Sequence, residues 1–84
     1  MKANKLREDL AKYAHEAWAS YMKYFLENCS LAEDGSRLVP HQYFIALDKL
    51  ITSSYESLPE PSKDLDRKEA DKIINIMNKY IQGI

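Results

Sequence analysis

Apolar residues recur at intervals of three and four through the first third of the chain, which is the spacing of one helix face. No proline or glycine interrupts the stretch from Lys5 to Asn28. The residues on this face are Leu6, Leu10, Tyr13, Ala14, Ala17, Tyr21, Tyr24 and Phe25, and a second row of Ala11, Trp18, Met22 and Leu26 widens it. The pattern predicts a helix over residues 5–28 whose apolar face is directed to a core.

Turn-forming residues follow this helix, in a loop predicted over residues 29–39. Asp34 and Gly35 are at its centre, because glycine adopts positive φ without a steric cost. A short extended segment is predicted near residues 36–39, since the residue before a proline avoids helical geometry. Pro40 suits the first position of a second helix, predicted over residues 40–54. Its inward positions are Tyr43, Leu47, Leu50 and Ile51, and Phe44 and Ile45 are candidates for a second contact surface.

Two prolines, Pro59 and Pro61, mark a turn predicted over residues 55–61. A third helix, predicted over residues 62–82, begins between Pro59 and Lys63, and Gly83 is expected to end it. Its apolar positions are Ala70, Ile73, Ile74, Met77, Tyr80 and Ile81. Three helices with short connections predict an all-α fold in which residues 1–84 form a single small domain.

The pair Asp66 and Arg67 conflicts with the apolar pattern of the third helix, because Asp66 falls on the predicted buried stripe and Arg67 beside it. A charge at a core position is tolerated when it is paired or capped. In one interpretation, Asp66 caps a turn or accepts a hydrogen bond from Trp18, and Arg67 pairs with Glu16 or another carboxylate. In the other, Arg67 joins Trp18 and Tyr55 around an anionic, planar ligand such as a nucleotide. We favour the first, since buried charges are normally satisfied internally.

The charge of the chain is nearly balanced, which limits the classes of partner. With 12 basic and 13 acidic residues, the net charge of −1 gives no bulk attraction to nucleic acid or to anionic membranes. No apolar run approaches the roughly 20 residues that cross a bilayer, and the polar N-terminus has no signal-peptide core. The single cysteine, Cys29, cannot form an internal disulfide. These features predict a cytoplasmic protein.

Catalytic and metal-binding patterns are incomplete in this sequence. His15 and Glu16 begin like the zinc motif His-Glu-x-x-His, but residue 19 is alanine, so the second imidazole is missing. Nothing in the sequence orients a base toward Cys29. The whole chain has two glycines, too few for a phosphate-binding loop. The sequence therefore predicts a protein without catalytic residues, metal or cofactor.

Three short motifs occur in order along the chain. They are Trp18, Tyr21 and Met22; then Glu33, Asp34, Gly35, Val39 and Pro40; then Tyr55, Leu58, Asp66, Arg67, Ala70, Asp71 and Lys72. In this arrangement the chain resembles a family of small phage and prophage proteins of unknown function, over roughly residues 14–76. The resemblance implies a small helical protein in the host cytoplasm. It also marks Gly35, Pro40, Asp66 and Arg67 as structural positions.

A more distant similarity is to the repeat domain of ryanodine receptors and its bacterial relatives. Those domains pair a tryptophan-bearing early helix with a Leu-Pro…Lys…Asp-Arg helix start. This chain differs from them between Asn28 and Ser57, where it lacks their glycine-rich strand region. The similarity implies nucleotide-type signals as an alternative ligand class.

Aromatic residues are numerous for so short a chain, and they decide the predicted function. Most are expected in the core, because a small helical domain needs large side chains to fill its centre. The others suit an interface, since tyrosine and tryptophan bury a large area with few rotatable bonds. The sequence predicts a non-catalytic binding protein whose partner is another protein or a second copy of the chain. The alternative is a binder of a nucleotide-like molecule. The candidate binding residues are Trp18, Tyr21, Tyr55 and Arg67.

Overall fold

The computed structural model describes residues 2–81 and shows an all-α protein, as the sequence predicted. Within these residues the helices are α1 (Lys2–Glu27), α2 (His41–Thr52) and α3 (Glu60–Ile81). Two short strands, β1 (Ser30–Leu31) and β2 (Arg37–Leu38), separate α1 from α2, and one 3-10 turn, Tyr55–Ser57, precedes α3. Residue 82 and the predicted stop at Gly83 lie outside the described residues.

The chain divides into two compact units. Unit 1 comprises Met1–Trp18 and Pro59–Ile84, and unit 2 comprises Ala19–Leu58. Unit 1 therefore contains the first part of α1 together with α3, whereas unit 2 contains the end of α1, the strands and α2. The assignment of all residues to one domain stays a prediction.

In unit 2, the two strands form an antiparallel hairpin in which Ser30 is opposite Leu38 and Leu31 is opposite Arg37. The N–H of Ala32 donates to the carbonyl of Ser36 at 2.8 Å and closes the turn. Gly35 has φ 90°, the positive value that the sequence predicted for this position. The predicted extended segment corresponds to β2 and has β1 as its partner.

Pro40 lies at the N-cap of α2, one position before the helix, and not at the first helical position as predicted. It has φ −58° and ψ 143°, and its carbonyl accepts the first helical hydrogen bond, from the N–H of Phe44 at 2.9 Å. The helix ends at Thr52, two residues earlier than predicted, because Ser53 is extended. The hydroxyl groups of Thr52 and Ser53 donate to the carbonyls of Asp48 and Lys49, at 2.9 and 2.5 Å.

In unit 1, α1 and α3 each present a half-buried row of side chains. On α1 the row is Leu6, Asp9, Leu10, Tyr13 and Ala17, and on α3 it is Ser62, Glu69, Ile76 and Tyr80. The hydroxyl group of Tyr80 donates to the carboxylate of Asp9, which ties the two helices together. This hydrogen bond raises the pKa of the Tyr80 phenol, and partial burial adds to the effect.

No side chain is buried in the part of the chain that the structure describes. Several residues predicted to face a core are exposed, namely Tyr21 and Tyr24 on α1, Leu50 and Ile51 on α2, and Ile73, Ile74, Met77 and Ile81 on α3. The prediction for these positions is wrong within each unit. The physical reason is that each helix is apolar over a wide arc, and its neighbour in the unit covers one strip of that arc.

Candidate interaction surfaces

An exposed apolar row on α3 is the most regular apolar surface of unit 1. It consists of Ala70, Ile74, Met77 and Ile81, and we call it the α3 seam. Ile74 is 51% exposed, Met77 40% and Ile81 55%. The row lies roughly 100° around the helix from the half-buried row, which contacts the rest of unit 1. Its spacing of four, three and four residues is the heptad spacing of helices that pack side by side.

A second apolar surface is on α2 in unit 2. Tyr43 and Leu47 are half-buried, and the ring of Tyr43 lies 5.9 Å from the ring of Phe25 on α1. Phe44, Leu50 and Ile51 flank them and are exposed, with Ile51 reaching 80%. We call these three residues the α2 surface. The sequence predicted Phe44 and Ile45 as candidates for a second contact surface. Ile45 is also exposed, but it lies on the side of α2 opposite Tyr43 and Leu47.

The four predicted binding residues are distributed over both units. Trp18 and Arg67 belong to unit 1, and Tyr21 and Tyr55 belong to unit 2. All four are exposed, which places none of them in a core. The ring of Trp18 lies 6.0 Å from the ring of His15, one turn earlier on the same helix.

Arg67 pairs with carboxylates on its own helix. One guanidinium nitrogen donates to Glu60 at 2.8 Å and to Asp64 at 2.7 Å. The predicted pairing of Arg67 with a carboxylate is thus observed with Glu60 and Asp64, whereas its role as a structural or a binding residue stays a prediction. Asp66 is exposed, so its predicted place on a buried stripe is wrong. The face of α3 that contacts the rest of unit 1 carries Ile76 and Tyr80, and Asp66 lies off this face.

A cleft of about 210 Å³ lies within unit 1. Its lining residues are Asp9, Lys12, Tyr13, Glu16, Ile76 and Lys79. The hydroxyl group of Tyr13 is buried and has no hydrogen-bond partner among the described residues. Two acidic and two basic side chains line the cleft, and their charges offset each other. The cleft therefore gives an anionic ligand no net electrostatic attraction.

Two further properties concern the described residues alone. Between residues 2 and 81, no cluster of three or more His, Cys, Asp or Glu side chains could hold a metal ion. None of the helices in this range combines the length and the hydropathy that a bilayer crossing requires.

The sequence analysis missed the Asp9–Tyr80 contact and the buried hydroxyl of Tyr13. One signal was present, because Asp9 lies three residues after Leu6 and one before Leu10, within the apolar row of α1. A carboxylate in such a row needs a donor from a neighbouring element.

A comparison with protein-family models, curated proteins and solved structures finds no significant match. The resemblance to small phage proteins therefore stays a prediction.

Proposed function

We propose that this chain is a non-catalytic protein-interaction module, whose exposed apolar surfaces are covered by protein when it acts. One observation carries the proposal: no described side chain is buried, while large hydrophobic side chains are exposed on every helix. Exposed apolar surface of this kind is costly in water, and contiguous patches of it mark binding sites.

The exposed aromatic residues support binding to protein in particular. Trp18, Tyr21, Tyr24, Phe44 and Tyr55 are all exposed. Aromatic side chains are enriched at the energetically dominant centres of protein interfaces, because they bury large areas with little loss of rotamer freedom.

The resemblance to small phage proteins supports a setting for this function. We infer a phage-derived module that binds a host or phage protein in the cytoplasm of the bacterial cell. The first and third of the motifs that carry the resemblance contain the exposed Trp18, Tyr21 and Tyr55.

The experiment compares the wild-type chain with a variant of the α2 surface and a matched control. The tagged chain is immobilised and bacterial lysate is passed over it. Phe44→Glu places a charge on the α2 surface, whereas Gln42→Glu adds the same charge at an exposed polar position of the same helix. A partner is supported when one protein is retained by wild type and by Gln42→Glu and is lost with Phe44→Glu.

The same preparations are then examined by light scattering at several protein concentrations. Two results together contradict the proposal. The chain is a strict monomer at every concentration, and no protein from the lysate is retained by wild type and lost with Phe44→Glu. Circular dichroism of Phe44→Glu confirms that its helices are intact before its binding is compared.

The nucleotide-binding alternative receives less support. Glu60 and Asp64 already neutralise Arg67 locally, and a phosphate would have to compete with both carboxylates. A thermal-shift screen with mono-, di- and cyclic nucleotides tests it. Stabilisation that is lost in Trp18→Ala supports the alternative, and an unchanged midpoint at millimolar ligand excludes it.

A further inference from the structure

We draw no further inference here: the strongest candidate, the cleft between α1 and α3 in unit 1, is lined mainly by charged side chains of both signs, and nothing in the structure shows which ligand they would hold.

Discussion

At the scale of single residues, Arg67 is a charged residue in an apolar sequence pattern, and its ion pairs add little to the stability of the protein. Its guanidinium contacts Glu60 and Asp64 within one helix, and all three side chains are largely exposed. Exposed ion pairs contribute little because water and salt screen them. These two ion pairs therefore contribute to the local structure of α3.

This leads to a prediction for Arg67. Arg67→Met should lower the free energy of unfolding by less than about 1 kcal/mol, and the difference should shrink further in high salt. Asp66→Asn, the control at the neighbouring exposed position, should stay within about 0.5 kcal/mol of wild type. Denaturant titrations at low and high salt measure both. A loss above about 2 kcal/mol for Arg67→Met would contradict this account of its contacts.

The two tyrosines of unit 1 give a matched pair of substitutions. Tyr80→Phe removes the donor to Asp9 and should lower the melting temperature. Tyr13→Phe removes a buried hydroxyl that has no partner among the described residues, so it should be neutral or stabilising by about 1 kcal/mol. Thermal unfolding measures the melting temperature of both variants. A loss of stability in Tyr13→Phe would contradict the prediction and show that its hydroxyl group has a hydrogen-bond partner.

The raised pKa of Tyr80 predicts the direction in which stability depends on pH. The neutral phenol donates to Asp9, so its contribution is complete below the unfolded pKa of about 10. The contribution is lost as the pH rises through the higher folded pKa. The difference between wild type and Tyr80→Phe should therefore disappear in strong alkali.

Asp34 provides a prediction at acidic pH. The hydroxyl group of Ser36, and second its N–H at 2.9 Å, lower the pKa of the Asp34 carboxyl group. The ionised carboxylate stabilises the turn above the unfolded pKa of about 3.9, and this is lost as the pH falls through the lower folded pKa. Ser36→Ala should raise the pKa of Asp34 toward its ordinary value, as measured by NMR titration. An unchanged value would rule out the hydroxyl as the main cause.

At the scale of elements, the hairpin between α1 and α2 depends on one backbone conformation. Gly35 has φ 90°, and a Cβ atom added there meets nothing within 4 Å. The cost of Gly35→Ala is therefore conformational and should be about 1 kcal/mol of hairpin stability. Gly35→Asn should cost less, since asparagine tolerates this conformation better. Hydrogen exchange of the Ala32 amide measures both, and equal protection in Gly35→Ala and wild type would contradict the prediction.

The existence and type of the elements followed from the sequence, but the packed face of each helix did not. The apolar spacing of α1 and the prolines around α2 and α3 predicted three helices, which the structure confirms. On α3, two apolar rows compete, one through Ile76 and Tyr80 and one through Ile74 and Met77. Periodicity cannot tell which row a neighbour covers, because both satisfy the helical repeat. The burial of Asp66 was predicted from the wrong row.

At the scale of the whole molecule, none of the side chains that the structure describes is buried, so we expect the stability of the protein to depend on association. For a protein that folds only as a dimer, stability depends on protomer concentration. We expect the free energy of unfolding per dimer to change by about 1.4 kcal/mol for each tenfold change in concentration. Urea titrations over a hundredfold range of concentration measure it. The outcome that would contradict this expectation is an unfolding midpoint of wild type that is independent of protein concentration.

Trp18 is the single tryptophan of the chain, and the residue is 59% exposed. The protein therefore carries one intrinsic optical reporter, at a position that water reaches. Its fluorescence should have the red-shifted maximum of a hydrated indole and be accessible to a soluble quencher. Any macromolecule that covers this part of α1 should shift the maximum to the blue and protect the ring from quenching. Binding at this site can thus be followed without a label.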